Sequence, residues 1–444
     1  MKMKIGLVPI FVLSLAACGC ASFYKTQTAA GEFLARGDYS GAAKLFDSST
    51  YGGNNELLYL LDKGYVLHMA SQAKESIAVF DSAKRKFEAL YAKSISKEAA
   101  SLLTNDYALE YAGNDFERVV VNVFQALNYL TLGNYVDALV EARDADVILK
   151  AVDSQYKIGE KNVYRDDAFV RFFMGIVYEC GNNKEDLNDA YVSYLKAYEL
   201  YRQGFFGVNA PNILKENLLT LAEKFDSRAF ENYRGEFKGV QFVSLRDRAN
   251  YAQVYLIDYD EALPEKKEKF FVVPVPGDQR VVKIAFPEFA EYTYLTQAVH
   301  FSAAASNIPA ASHDSEKVLD AAAVERAILA RQKAAYILKT TLKAAGRYAV
   351  EEKSADVIHE KYGDSAALAF DIVSNVFNVL VERADLRTWR TLPAVIRLSR
   401  LYLPPGHYDF YIEKETPIKG TGKVKVKALE VSAGDKKFII VATR

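Results

Sequence analysis

Apolar positions recur every three or four residues from about residue 27 to residue 234, and then the pattern changes. In the first stretch small and aromatic residues share the stripe: Ala30, Phe33, Ala42 and Phe46, then Gly64, Leu67, Ser76, Phe80 and Ala83. This spacing predicts amphipathic helices. Leu214, Leu218, Leu221, Ala222 and Phe225 predict one more helix over Asn212–Tyr233, which Gly235 and Gly239 end. Beyond that point alternation predicts strands at Gln253–Tyr259, Lys269–Val273 and Arg280–Phe286, with turns at Leu263-Pro264 and Pro276-Gly277-Asp278. Tyr292–His300 reads as a strand, and Asn307–Asp314, with Pro309, as a loop. Helical spacing returns over Asp320–Tyr348 and Ser365–Glu382, predicting a helical hairpin. Strands at Val395–Leu403, Tyr408–Glu413, Lys423–Val431 and Lys437–Thr443 follow, with Gly434-Asp435 as a hairpin turn.

The helical stretch also carries a longer period. Ala30 to Gly64, Ala42 to Ser76 and Phe46 to Phe80 are each 34 residues apart. That is the period of the tetratricopeptide (TPR) class, in which small residues stand where two helices touch and aromatics fill the groove beside them. A third unit runs through Ala126, Tyr129, Gly133-Asn134-Tyr135, Ala138 and Ala142. A fourth runs through Gly175, Tyr178, Ala190, Tyr194 and Ala197, with three extra residues in its turn. The expected fold is α+β: a TPR-like helical array over 27–234, then a β-rich, sandwich-like domain over 235–444 with a helical hairpin inserted at about 318–383.

The first residues are set apart from the fold. Lys2 and Lys4 precede an apolar run, Ile5–Ala17, too short for a spanning helix, which needs about 20 residues. Leu15-Ala16-Ala17-Cys18 resembles the bacterial lipoprotein signal, which implies cleavage after residue 17 and diacylglycerol on Cys18. Residues 18–26 would then be a lipidated tether. By resemblance to enterobacterial sorting signals, Gly19 rather than Asp at the next position implies the outer membrane, facing the periplasm.

Composition alters this picture little. Apolar residues are 50% and charged residues 25% of the chain, as in ordinary globular proteins. Losing Lys2 and Lys4 takes the formal charge from −1 to −3, which offers no electrostatic footprint for nucleic acid. The five histidines are scattered and join no cysteine at metal-binding spacing, so no metal or cofactor is expected. No Walker loop, nucleophile elbow, dinucleotide fingerprint or zinc-protease motif is present, and no catalytic residue is expected.

What remains is recognition chemistry. Charged pairs stand beside the apolar stripes, Glu117-Arg118 within Tyr111–Arg118 and Glu141/Arg143 within Ala138–Arg143. The expected partner-binding residues, lining a concave groove of the array, are Tyr129, Tyr135, Glu141, Arg143, Arg171 and Tyr178. The run Ala384–Pro393 holds the only tryptophan of the chain. There Asp385, Arg387 and Trp389 read either as a structural joint or as the lining of a ligand pocket. These three runs resemble recurrent blocks of a family of bacterial lipoproteins with TPR-like repeats and a β-rich C-terminal half, grouped as uncharacterised conserved exported proteins. The resemblance implies no catalytic residues. The function expected is a membrane-anchored scaffold that binds an envelope protein or peptide in the groove. The alternative is a solute-binding lipoprotein with a pocket between the helices and the β-rich half.

Overall fold

The computed structural model describes residues 28–97, 109–155, 164, 166–181, 183–274, 281–305, 308–333, 384–417 and 422–443. The export signal, Cys18, the tether and most of the inserted hairpin lie outside the described residues. The fold is α+β. Helices α1 (28–35), α2 (Tyr39–Leu45) and α3 (Ser48–Tyr51) lead into four helical pairs. These are α4 (Glu56–Met69) with α5 (Ala73–Lys97), α6 (Asp115–Thr131) with α7 (Tyr135–Gln155), α8 (Ala168–Gly181) with α9 (Lys184–Arg202), and α10 (Asn212–Phe225) with α11 (Ser227–Glu236).

The small residues of the stripe are where partner helices meet. A methyl group added at Gly64 would collide with the Phe80 ring, and one at Gly175 with the Tyr194 ring. The same glycine-to-aromatic contact therefore closes α4 on α5 and α8 on α9; the three extra residues expected in the second turn lie within the helices instead, since α8 and α9 are joined by residues 182–183 alone. The expected single helix over Asn212–Tyr233 is two helices. Asp226 interrupts it, leaving helical geometry and accepting a hydrogen bond from the Ala229 backbone at 2.9 Å to cap α11.

After the short helix α12 (Leu245–Arg248) come β1 (Ala252–Ala262), β2 (Lys266–Pro274), β3 (Val281–Phe289), β4 (Ala298–Ala305), β5 (Ile308–Asp314) and β6 (Glu316–Asp320). Residues 321–333 are helical (α13). Strands β7 (Pro393–Leu403), β8 (Gly406–Glu415), β9 (Val424–Val431) and β10 (Lys436–Thr443) complete the chain. One sheet has the order β10-β1-β7-β6 and a second β5-β4-β8-β9, while β2 and β3 pair as a ribbon. The segment expected to be a loop around Pro309 is strand β5. It lies at a sheet edge, where proline's missing N–H costs no ladder bond.

The layers follow from side-chain alternation. Tyr255, Ile257 and Tyr259 of β1 join Ile396, Leu398 and Phe438 in the same core as the helices. Their neighbours Val254 and Leu256, with Leu401 of β7, pack instead with Phe301, Tyr408 and Phe410 of the second sheet. Strand β1 is thus buried on both faces, without a break from Ala252 to Asp260. The order is helices, first sheet, second sheet.

A chain of polar groups crosses the first of these boundaries. Buried His68 on α4 meets the Tyr259 hydroxyl at 3.0 Å through Nε2 and the Asn128 carbonyl oxygen at 2.6 Å through Nδ1. Asn128 Nδ2 donates to Ser76 Oγ at 2.9 Å, and Ser76 donates to the Gly64 carbonyl at 2.8 Å. Burial pushes the imidazole down to about 4, against the smaller upward pull of Asn128. A depressed histidine adds stability that is complete above its unfolded value and is lost as pH falls from 6.5 to about 4. Glu117, Glu325 and Asp167 are raised by burial and act in the opposite sense, so the difference between two proteins is the useful quantity. Urea unfolding of wild type and His68→Gln should show the wild-type advantage shrinking by about 3 kcal/mol over that window. Parallel curves would remove His68 from the account.

Candidate functional site

The face expected to be an open groove is covered by the chain's own sheet. The first helix of each pair turns toward it. From α4 and α6, Tyr65 and Phe124 pack on Tyr259 with ring centroids 5.8 and 5.6 Å away. On α8 the Glu179 side chain meets Lys436 of β10 at 3.4 Å, and on α10 Asn217 accepts from Arg400 of β7 at 2.6 Å. Helix α9 adds a hydrogen bond of 2.6 Å from Tyr201 to the Val318 carbonyl. The open-groove expectation is corrected on this point. An apolar inner stripe this continuous is stabilised by covering it, and the β-rich half supplies the cover.

The six residues expected to line the groove do not converge. Glu141 is buried and accepts from Lys84 of α5 at 2.8 Å. Arg171 is buried between Asp166, at 2.7 Å, and Asp146. Tyr178 is buried in the helical core, and Tyr129 is half-buried against it. Tyr135, also half-buried, reaches the Lys436 carbonyl at 3.4 Å. Arg143 alone is exposed, 3.6 Å from Asp186. Five of the six therefore join one element to another or fill the core, and one faces solvent.

Asp385, Arg387 and Trp389 do come together, at the seam between helices and sheet. Arg387 makes two bonds to Asp385, 2.8 and 2.6 Å, and its remaining nitrogen reaches Asn55 Oδ1 and the Leu109 carbonyl, each at 3.0 Å. Its guanidinium lies over Tyr111, 5.6 Å from the ring centre. Trp389 is fully buried, edge-on to Phe80 and Phe124, and donates from Nε1 to Thr391 at 2.9 Å. Thr391 in turn donates to buried Asp62 of α4 at 2.8 Å.

Beside this seam a cleft of about 300 Å³ opens between the segment before α6, the β2–β3 ribbon and α13. Asp385 and Arg387 form part of its lining; Phe286, Pro287, Ile328 and Leu329 give it apolar walls. Two buried carboxylates stand here. Glu117 closes a capping box with Asn114 at the start of α6, accepting from the Asn114 backbone at 3.1 Å, and also accepts from Tyr111 at 2.7 Å. Among the described residues, Glu325 of α13 accepts from the Asn114 side chain alone, at 2.9 and 3.1 Å. Burial raises both carboxyls. For Glu117 the charge of Glu325 adds to the rise, and Lys266 opposes it in each case.

On the opposite side of the array, α7 carries an apolar stripe in solvent. Val136, Val140 and Val147 are 72%, 47% and 64% exposed. At 3.6 residues per turn they fall within about 40° of one another, with Arg143 between them. The buried face of α7 is formed by Ala138, Ala142, Ala145 and Leu149.

Among the described residues no group of histidines, cysteines and carboxylates is placed to hold a metal ion, and no helix is long and apolar enough to cross a membrane. Sequence reasoning missed Glu325, His68 and Asp62. Besides the run around Asp385 and Arg387, a capping box legible in Asn114-Asp-Phe-Glu117 was a local signal leading to the cleft. No protein-family model matches this chain, and no curated protein does. Among solved structures, MamA (residue 41 to the end) from Desulfovibrio magneticus RS-1 is similar at 15% identity and a TM-score of 0.30, covering 49% of this chain and 93% of that one.

Proposed function

We propose that the protein is a lipid-anchored interaction scaffold of the bacterial cell envelope, built on TPR-like helical pairs and tethered through Cys18 to the outer membrane. The 34-residue offsets and the glycine–aromatic contacts within pairs support the repeat assignment. The tether rests on the residues around Cys18 and on the resemblance to exported lipoproteins. With the inner face occupied by its own sheet, the scaffold offers its partner the outer face. The observation that carries this is the exposed stripe Val136, Val140 and Val147 beside Arg143. Apolar side chains aligned along one exposed face suit a partner helix laid along α7.

A photo-crosslinking residue at Val140, in cells, should capture one discrete envelope protein. Val136→Glu in the same chain should abolish that adduct without changing the far-ultraviolet circular dichroism. A crosslinker at Gln203, away from the stripe, should not give it. Identical adducts at both positions, or one indifferent to Val136→Glu, would remove the outer face from the proposal. Metabolic labelling with a palmitate analogue should mark the wild type and fail in Cys18→Ser; label retained in the variant would remove the tether.

A second reading is ligand binding, and the cleft beside Asp385 and Arg387 favours it. The cleft lies between the helices and the β-rich half and is at the small end of ligand-sized volumes.

A further inference from the structure

The cleft next to Arg387 has a definite chemical preference, which rests on the ligand-binding reading above. Its cations are already engaged. Arg387 is closed on Asp385, and Lys266 donates to the Arg387 carbonyl at 3.0 Å while lying over the Phe289 ring. Glu110, at the rim, is bridged by Lys86 at 2.9 Å. The carboxylate of Glu325 is the exception. It is 2% exposed, it lines the cleft, and both of its oxygens rest on the one Asn114 amide nitrogen. An ionised carboxylate accepts about four hydrogen bonds, and a buried one left short of donors is costly. Glu117 stands behind Asn114 and adds a second negative charge without opening onto the cleft.

We propose that this cleft binds a small organic cation, a primary ammonium on a short alkyl body, with Glu325 as its counter-charge. The ammonium supplies the donors that Glu325 lacks. Phe286, Pro287, Ile328 and Leu329 take the alkyl body. An anion is disfavoured because three carboxylates, Glu110, Glu325 and Asp385, border the space against two cations, Lys266 and Arg387, whose donors are engaged on Asp385 and the Arg387 carbonyl. A lysine side chain of a peptide carries the same chemistry as a free amine, so the source is a matter for experiment.

The test is calorimetric titration of the whole chain at pH 8 with three probes of one size: n-butylammonium, n-butanol and butyrate. The ammonium should bind saturably and at least tenfold more tightly than the other two. Glu325→Gln, which keeps an acceptor for Asn114 and removes the charge, should lose at least tenfold for the ammonium alone. Ile328→Trp, which fills the cleft, should lose all binding. Titration with 1,4-butanediamine and with acetyl-lysine amide then separates a free amine from a peptide side chain; saturable binding of either supports the proposal. Equal binding of n-butanol and n-butylammonium would overturn the cation while leaving a ligand cleft. If none of the three probes binds, the cation and the ligand-binding reading fall together. Binding unchanged in a folded Glu325→Gln also overturns the assignment.

Discussion

Trp389→Ala should destabilise the protein by about 3–5 kcal/mol, the usual cost of removing a large buried aromatic. The ring is fully buried and sits where three elements meet, edge-on to Phe80 of α5 and Phe124 of α6. Its removal leaves a cavity against both rings and takes away the indole donor to Thr391, so the path to Asp62 loosens as well. Trp389→Phe keeps an aromatic body without the donor and should cost distinctly less. Because the alanine variant has no tryptophan, unfolding is followed by circular dichroism in urea. Both the helical and the β signals should move together to a lower midpoint, since one core spans the two halves. A cost below about 1 kcal/mol would show that the seam is held elsewhere.

The helical pairs were legible because their contacts are local. Gly64 meets Phe80 and Gly175 meets Tyr194 within one hairpin, so the periodicity that makes each helix amphipathic also records its partner. Strands β1, β7 and β10 were legible as strands for a similar reason, partial alternation in β1 and runs rich in apolar and β-branched residues between turn residues in all three. What periodicity does not record is which surface a stripe faces. A helix stripe covered by another helix, by a sheet or by a partner protein has the same spacing, so the array read equally well as an open groove. The β-rich half that closes it follows in the chain, and the joining contacts, such as His68 with Tyr259, span 191 positions. Charged residues misled for the same reason. Arg171 and Glu141 look alike in sequence to solvent-facing groove residues, and only tertiary packing shows Arg171 held by Asp146 and Asp166, and Glu141 by Lys84. The run around Trp389 was legible as a joint or a pocket. The structure makes it a joint with a cleft beside it, because Arg387 spends its donors on Asp385, on the Asn55 side chain before α4 and on the Leu109 carbonyl, leaving the adjacent space to Glu325.

The second large effect is expected at Glu179. Here α8 is fastened to the sheet by buried charge rather than by apolar packing. Glu179 is 2% exposed and faces Arg248 at 3.3 Å, Lys436 at 3.4 Å and the Tyr194 hydroxyl at 2.9 Å. Glu216 balances the neighbouring Arg400 at 2.5 Å, and Arg248 also donates to Asn217 and Thr220. Three cations therefore face two carboxylates, and deleting Glu179 leaves two positive charges uncompensated in a dry site. Glu179→Ala should cost about 3–5 kcal/mol, as expected when one partner of a buried pair is removed. Replacing Glu179 and Arg248 together by methionine should restore much of the loss, because the excess of positive charge then returns to one, as in the wild type. Burial alone would raise the Glu179 carboxyl, but Lys436, Arg248 and Arg400 outweigh it and hold it below the ordinary range. A depressed carboxyl contributes stability that is present above its unfolded value and is lost as pH falls through the folded one. The wild type should therefore give up this contribution below about pH 4.5, and the gap between it and the alanine variant should narrow there. Guanidinium chloride would screen the pairs under study, so the comparison belongs in urea at low salt. A gap that stays constant with pH, or a double variant no better than Glu179→Ala, would mean that shape rather than charge holds α8 to the sheet.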